Sequence, residues 1–222
     1  TVTQNPARSA GVLLAPYDAD EDDRPDSISI NDLQGAETEV DGHALTLSWD
    51  LTENMTLSSL TGYREMWNLG FADSDGSPLP VIFTKDLQQF DSFSQEFRLV
   101  GSAFNDALSY SAGVFYFEEE GDLYNQTSIF GGATANVADF SNDAIAVYGQ
   151  FTYAFTDRFD ATFGIRYTEE DRDMGKAFIA GEPSTLPTLD EIRLTMPETV
   201  FDNASGSFDN VSPMVAVSYD WT

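Results

Sequence analysis

The sequence predicts an all-β protein, an antiparallel up-and-down segment of a transmembrane β-barrel. Apolar and polar residues alternate in seven runs, which is the pattern of strands with one dry face and one wet face. The links between these runs alternate strictly between short and long. Aromatic residues stand near both ends of the apolar faces, where a membrane barrel meets its two interfaces.

Seven strands are expected, at about 43–51, 54–67, 89–101, 106–119, 143–155, 159–173 and 208–221. The hairpin within residues 145–170 shows the alternation best. Ile145, Val147 and Phe151 share one expected face, and Gln150 and Thr152 share the other. Because about 9–11 tilted residues cross the hydrocarbon core, strands of this length can span a membrane and project beyond it.

The links place all short turns at one end of the sheet and all long loops at the other. Short links follow the first, third and fifth strands, at 52–53, 102–105 and 156–158. Long loops are expected at 68–88, 120–142 and 174–207, and residues 1–42 form an extracellular loop or strand end before the first strand. Outer-membrane barrels show this asymmetry, with short periplasmic turns and long extracellular loops. A soluble β-sandwich, whose core would use the same alternation, remains the alternative.

Aromatic residues of the apolar faces form two groups that fit the two membrane interfaces. Those near the short turns are Trp49, Tyr153, Phe155, Phe159, Tyr219 and Trp221, and those near the long loops are Tyr63, Tyr116 and Tyr167.

Composition excludes several functions. The net charge of −28 over 222 residues argues against nucleic-acid binding, which needs a basic surface. The absence of cysteine excludes disulfides, zinc ribbons and thiol nucleophiles. No apolar run reaches the eighteen or so residues of a transmembrane helix.

No metal, cofactor or catalytic site is expected. The acidic run at 18–23 fails the calcium-loop pattern, because Asp23 stands where glycine is needed and Ser29 where glutamate is needed. His43 is the only histidine, so a transition-metal site would lack ligands. No nucleophile motif appears, and paired carboxylates such as Glu169 and Glu170 lie on opposite strand faces. The chain is therefore not expected to be an enzyme.

Charged residues also occur on the wet face of the expected strands. They are Arg64, Arg98, Arg166, Asp50, Glu96 and Asp160. Charges are tolerated on the lumen side of a membrane barrel. We expect these groups to pair with one another along the wall, or to contact a domain inside the barrel.

Five segments in order carry a family resemblance. They are "TLSSLTGYRE" (56–65), "FSQEFRLVGS" (93–102), "LSYSAGVFYFEEE" (108–120), "AVYGQFTYAFTDRFDATFGIRYTEE" (146–170) and "FDNVSPMVAVSYDWT" (208–222). Together they cover every expected strand. The chain resembles the β-barrel domain of TonB-dependent outer-membrane receptors.

The resemblance implies a barrel of 22 strands around an N-terminal plug, in the outer membrane of a Gram-negative bacterium. Such receptors import a scarce ligand, most often an iron–siderophore complex and otherwise haem, cobalamin or oligosaccharides, with energy transmitted by TonB through the plug. Outer-membrane lipid and lipopolysaccharide would surround the wall. The sequence shows no plug, no TonB box and no final strand ending in an aromatic residue, so an internal fragment is expected. A passive porin-type channel and a soluble acidic glycan-binding β-sandwich remain alternative functions.

Aromatic residues in or beside the long loops are the expected ligand contacts, because their rings can stack on catecholate, porphyrin or sugar rings. They are Trp67, Phe71, Phe83, Tyr124, Phe130, Phe178 and Phe201.

Overall fold

A computed structural model describes residues 34–75, 79–181 and 202–221, which form one seven-stranded antiparallel sheet. The strands are β1 (Gly35–Thr52), β2 (Met55–Asp73), β3 (Ile82–Ala103), β4 (Leu108–Ile129), β5 (Gly132–Thr156), β6 (Phe159–Gly181) and β7 (Asp202–Tyr219). They pair in chain order from β1 to β7. The all-β, up-and-down prediction is confirmed. Since the described residues contain no second sheet packed on the first, the β-sandwich alternative is wrong for them.

The strands are longer than predicted at the long-loop end. Strand β4 continues to Ile129 and β5 starts at Gly132, so the loop expected at 120–142 is a hairpin. Its turn residues, Phe130 and Gly131, have φ of 48° and 85°, as a two-residue hairpin turn requires. The loop expected at 68–88 shrinks in the same way to residues 74–81, and β1 starts at Gly35 instead of 43. The segment 182–201 lies outside the described residues.

The short connections lie close to their predicted positions. Two-residue links 53–54 and 157–158 join β1 to β2 and β5 to β6. The β3–β4 link covers 104–107, two residues later than predicted. Its residues Phe104, Asn105 and Asp106 have φ of 56°, 54° and 66°. Such left-handed backbone is costly for a phenylalanine and readily adopted by Asn and Asp.

The strand register sorts the side chains into two faces. On the apolar face, Val114, Val147, Tyr167 and Val211 are successive cross-strand partners. On the polar face, the corresponding row is Arg98, Gly113, Tyr148, Arg166 and Ser212. Ile165 and Val215 of the apolar face remain 58% and 69% exposed. Removing each such side chain from water is favourable by about 1.5–3 kcal/mol. The sheet alone does not gain this free energy, because these side chains stay exposed.

A small core lies in the part of the sheet beyond the tyrosines Tyr63, Tyr116 and Tyr167. This distal sheet comprises residues 66–73, 82–92, 118–143 and 169–181. Its buried residues Tyr124, Ala135 and Val137 pack with Leu87 and Ile179. Among the described residues, no helix is long and apolar enough to cross a membrane.

Candidate functional site

The register turns four of the expected ligand contacts to one side of the distal sheet. Trp67 and Phe71 of β2, Phe83 of β3 and Tyr124 of β4 continue the apolar face, because pairing runs without a shift from the apolar rows to these positions. Phe71 lies opposite Gly35, and a Cβ on that glycine would meet the phenylalanine ring at 3.0 Å. This side of the sheet is the outer side if the apolar face contacts lipid.

Tyr124 belongs to the distal core. Its side chain is 5% exposed, packs with Ala135 and Val137, and donates a hydrogen bond from its hydroxyl to Gln126 Oε1 at 2.9 Å. Burial raises the pKa of the phenol, since the charged form is the more costly one to remove from water. A ring packed in this way stabilises the hairpin and is not accessible to a ligand.

Phe130 and Phe178 are the most exposed of the expected contacts. Phe130 is 69% exposed at the tip of the β4–β5 hairpin, and its amide donates a hydrogen bond to Val81 O at 3.0 Å. Phe178 is 63% exposed on the continuation of the polar face, opposite Asn136. Phe201 lies outside the described residues. The expected contacts therefore do not form a single cluster.

An aromatic row on the polar side was not anticipated from the sequence. Met66, Phe90, Gly121, Phe140 and Met174 are successive cross-strand partners on β2 to β6. The Phe140 ring lies over the glycine, so that a Cβ there would be 2.6 Å from Phe140 Cζ. Counting strand parity outward from Tyr148 would have found this row, had the segment 120–142 been recognised as strands.

Carboxylates follow the tyrosines on the continuation of the apolar face. Tyr63 donates a hydrogen bond to Glu65 at 2.6 Å, and Tyr116 donates one to Glu118 at 2.9 Å. Glu65 lies directly opposite Asp91 in the register. Like charges in opposite positions destabilise a strand pair. These carboxylates form a band beyond the apolar rows.

The polar face carries a charged patch at the level of the apolar rows. The Tyr148 hydroxyl donates a hydrogen bond to Glu96, reaching across β4 at Gly113. The Arg166 guanidinium lies 5.7 Å from the centroid of the Phe115 ring and 5.9 Å from that of Tyr148. A cavity of about 420 Å³ is lined by these groups together with Gln150 and Ser212.

The expected pairing of wall charges is wrong within the described residues. There, Arg64, Arg98 and Arg166 have no carboxylate within ion-pair distance, and the ion pair that does form joins Arg172 to Glu170 at 2.6 Å. Two of the carboxylates are engaged elsewhere: Asp50 accepts a hydrogen bond from Thr56, and Glu96 accepts one from Tyr148. The arginines are therefore available to other anions.

Metal-ligating side chains do not cluster in the part of the chain that the structure describes. There, no group of three or more histidine or carboxylate side chains is placed to hold an ion. The acidic run at 18–23 lies outside the described residues.

Comparison with known proteins agrees with this geometry. The family model described as TonB dependent receptor-like, beta-barrel matches residues 2–222. The crystal structure of the ferric yersiniabactin uptake receptor FyuA from Yersinia pestis is similar to the chain, with a TM-score of 0.69 at 15% sequence identity. That match covers 87% of this chain, which spans only 28% of the length of the receptor. No curated protein matches the chain.

Proposed function

Because the chain belongs to the TonB-dependent receptor family, we propose that it forms part of the wall of an outer-membrane active transporter in a Gram-negative bacterium. The family match over residues 2–222 is the observation that carries this proposal. Further strands would complete a barrel of 22, with TonB acting through a plug domain inside it. The family consists of transporters rather than enzymes, so no chemical change to the ligand is part of the proposal.

An iron–siderophore complex is the ligand that we propose. The structural similarity to FyuA, a ferric yersiniabactin uptake receptor, supports this choice. The aromatic row on the polar side, with Phe90 and Phe140, would face the ligand, because that side continues the lumen wall. Phe130 and Phe178 add exposed rings at and below the hairpin tip. Trp67, Phe71, Phe83 and Tyr124 would support the wall from its outer side.

Lipid and lipopolysaccharide are the proposed surroundings of the outer side. The half-exposed residues of the apolar face would contact acyl chains, and the tyrosines would lie at the interface, with polar tips toward the headgroups. The carboxylate band beyond them, including Glu65 and Glu118, would lie at the level of the polar leaflet, where divalent cations offset its charge.

A passive porin-type channel is the second candidate. It uses the same strand asymmetry and polar lumen. The family match favours active import. The two functions differ in their energy requirement, because import through a TonB-dependent receptor stops when TonB is absent whereas passive diffusion continues.

Uptake of iron-55 by a strain lacking the parent gene tests the proposal. The label should be supplied as ferric complexes extracted from the culture supernatant of the same strain. We expect uptake to fall on deletion, to return with the wild-type gene and to require TonB. Phe140→Ala should lower uptake about tenfold if ring stacking is worth about 1.4 kcal/mol, whereas Phe83→Ala, on the opposite side, should not. Unchanged uptake of siderophore, haem, cobalamin and glycan after deletion would show that active import is wrong.

A further inference from the structure

The charged patch on the polar face contains an arginine whose hydrogen-bonding capacity is only partly used. Arg166 donates one hydrogen bond, from Nε to Thr168 Oγ1 at 3.1 Å. Its two terminal amino groups have no acceptor among the described residues. Phe115 and Tyr148 lie near the guanidinium at cation–π distance. An arginine held by aromatic rings can still receive a carboxylate in bidentate geometry through its N–H groups.

The neighbouring carboxylate does not serve this arginine. Glu96 lines the same cavity, but it accepts its hydrogen bond from Tyr148 and lies beyond ion-pair distance of Arg166. The Tyr148 ring reaches Glu96 because Gly113 leaves the space between them open. Tyr148 thereby holds the Glu96 carboxylate on the β3 side of the cavity, away from the Arg166 guanidinium on the β6 side.

The charge of the patch selects a singly charged anion. Arg98 stands on the same register row as Arg166, three strands away, and Glu96 is on β3 with Arg98, two residues along the same face. Two arginines and one glutamate leave a local excess of one positive charge. A monocarboxylate neutralises that excess, whereas a doubly charged phosphate would be repelled by Glu96.

We propose that Arg166 is the centre of a carboxylate-binding site on the lumen wall, with Arg98 as a second cation and Ser212 and Gln150 as further hydrogen-bonding groups. This inference rests on the proposed function, since it takes the polar face to line the lumen. The carboxylate comes either from an Asp or Glu side chain of a polypeptide segment inside the barrel or from a solute in the lumen. Both sources present the same carboxylate group, and the experiment below distinguishes between them.

Hydrogen exchange of the full-length receptor in detergent, followed in β5 and β6 over residues 145–170, tests the site without requiring transport. If a polypeptide carboxylate occupies it, Arg166→Gln should speed exchange of this hairpin about tenfold with no anion added. High salt should reduce that difference, because it screens the ion pair of the wild type. If a solute occupies it, benzoate should slow exchange in the wild type and have no effect in Arg166→Gln.

Arg172→Gln is the matched control, because Arg172 is on the same face and already holds Glu170. It should leave both readouts as in the wild type. Arg166→Lys keeps the charge but loses the bidentate geometry, so it should bind benzoate more weakly, and it replaces Arg166→Gln if that variant fails to fold. If the Arg166 variant exchanges at the wild-type rate and responds to benzoate as the wild type does, the proposed site is wrong. Loss of iron uptake in the deletion strain is a separate result, so the two proposals fail independently.

Discussion

At the scale of single residues, glycines facing aromatic rings organise the wall. Tyr110 lies over Gly101 and Tyr148 over Gly113, each on a directly paired position of the neighbouring strand. In both pairs the ring occupies the space that a Cβ would need, at 2.5 Å and 2.6 Å from the tyrosine oxygen. The ring covers the backbone of the glycine, so little of that backbone is exposed to solvent. The glycine in turn fixes the direction in which the ring points.

Gly113→Ala should destabilise the barrel wall. The new Cβ would lie 2.6 Å from Tyr148 Oη and 2.8 Å from the carbonyl oxygen of Phe97. The ring must move, which breaks its bond to Glu96, and overpacking of this kind costs about 1–3 kcal/mol. Thermal unfolding of the full-length receptor in detergent measures the loss. Gly149→Ala is the matched control, because its Cβ would meet nothing within 4 Å, and equal effects of the two changes would contradict the ring-over-glycine account.

Gln95 is a polar residue on the apolar face, and it departs from the simple alternation of apolar and polar side chains. Gln95 accepts a hydrogen bond from Thr61 at 2.6 Å and donates one to Ser59 at 2.9 Å, all on that face. An amide facing lipid without such partners would be costly. Because the three polar groups satisfy one another across β2 and β3, the apolar face tolerates them.

At the scale of elements, the β4–β5 hairpin is where the sequence misled. Alternation marks a strand when one face is dry, and it holds for Ile145 to Phe155 for that reason. From Asn125 to Ser128 every residue is polar, yet these residues pair throughout with β3 and β5. Backbone hydrogen bonds in water need no apolar face, so composition there could not separate strand from loop. The facing of Phe140 was lost with it, because strand parity cannot be counted through the loop expected at 120–142, whereas Phe90 lies within the strand expected at 89–101.

Alkaline pH should loosen this hairpin through Tyr124. Burial raises the pKa of its phenol in the folded state above the ordinary value of about 10. The stabilisation is therefore fully present below pH 10 or so and is lost as pH rises through the folded pKa, since only the unfolded segment ionises readily there. Hydrogen exchange of residues 122–139 should accelerate in that range.

Tyr124→Phe provides the comparison for the pH effect. It removes the ionisable hydroxyl and the bond to Gln126 but keeps the packed ring. Its hairpin should be slightly weaker at neutral pH, by about 0.5–1.5 kcal/mol, and should lack the alkaline step due to this residue. An unchanged alkaline step would assign the pH effect to other groups.

At the hairpin tip, the effect of Phe130 on stability can be measured separately from its contact with a ligand. Phe130 has a left-handed φ of 48°, which costs a residue with a Cβ about 1–2 kcal/mol. Phe130→Gly should therefore keep or raise the resistance of the hairpin to exchange while removing an exposed ring. If Phe130 contacts the siderophore complex, iron-55 binding to the receptor should weaken in the same variant. A hairpin that loosens in Phe130→Gly would show that the ring is needed for packing.

At the scale of the whole molecule, the two faces of the sheet could be predicted and the polar contacts between strands could not. Alternation placed Val147 and Ile165 on one face and Gln150 and Arg166 on the other, and the register confirms this. The Tyr148–Glu96 bond depends on the missing side chain of Gly113 in the strand between them. That contact follows from the exact pairing of three strands, which no local pattern specifies.

The same division into faces gives a test of membrane insertion. Val147 is 54% exposed on the apolar face, and Gln150 lies three residues away on the polar face of the same strand. In the full-length receptor, Val147→Arg would place a charge toward the hydrocarbon, at a cost of about 2–4 kcal/mol. Gln150→Arg adds the same group to the lumen, where water and the wall can solvate it. The folded fraction in outer membranes, measured by the heat-dependent shift in gel mobility of a β-barrel, should fall for Val147→Arg and stay near wild type for Gln150→Arg. The reverse order would mean that the apolar face is turned to the interior, and with it the aromatic row of Phe90 and Phe140 would be turned away from the ligand.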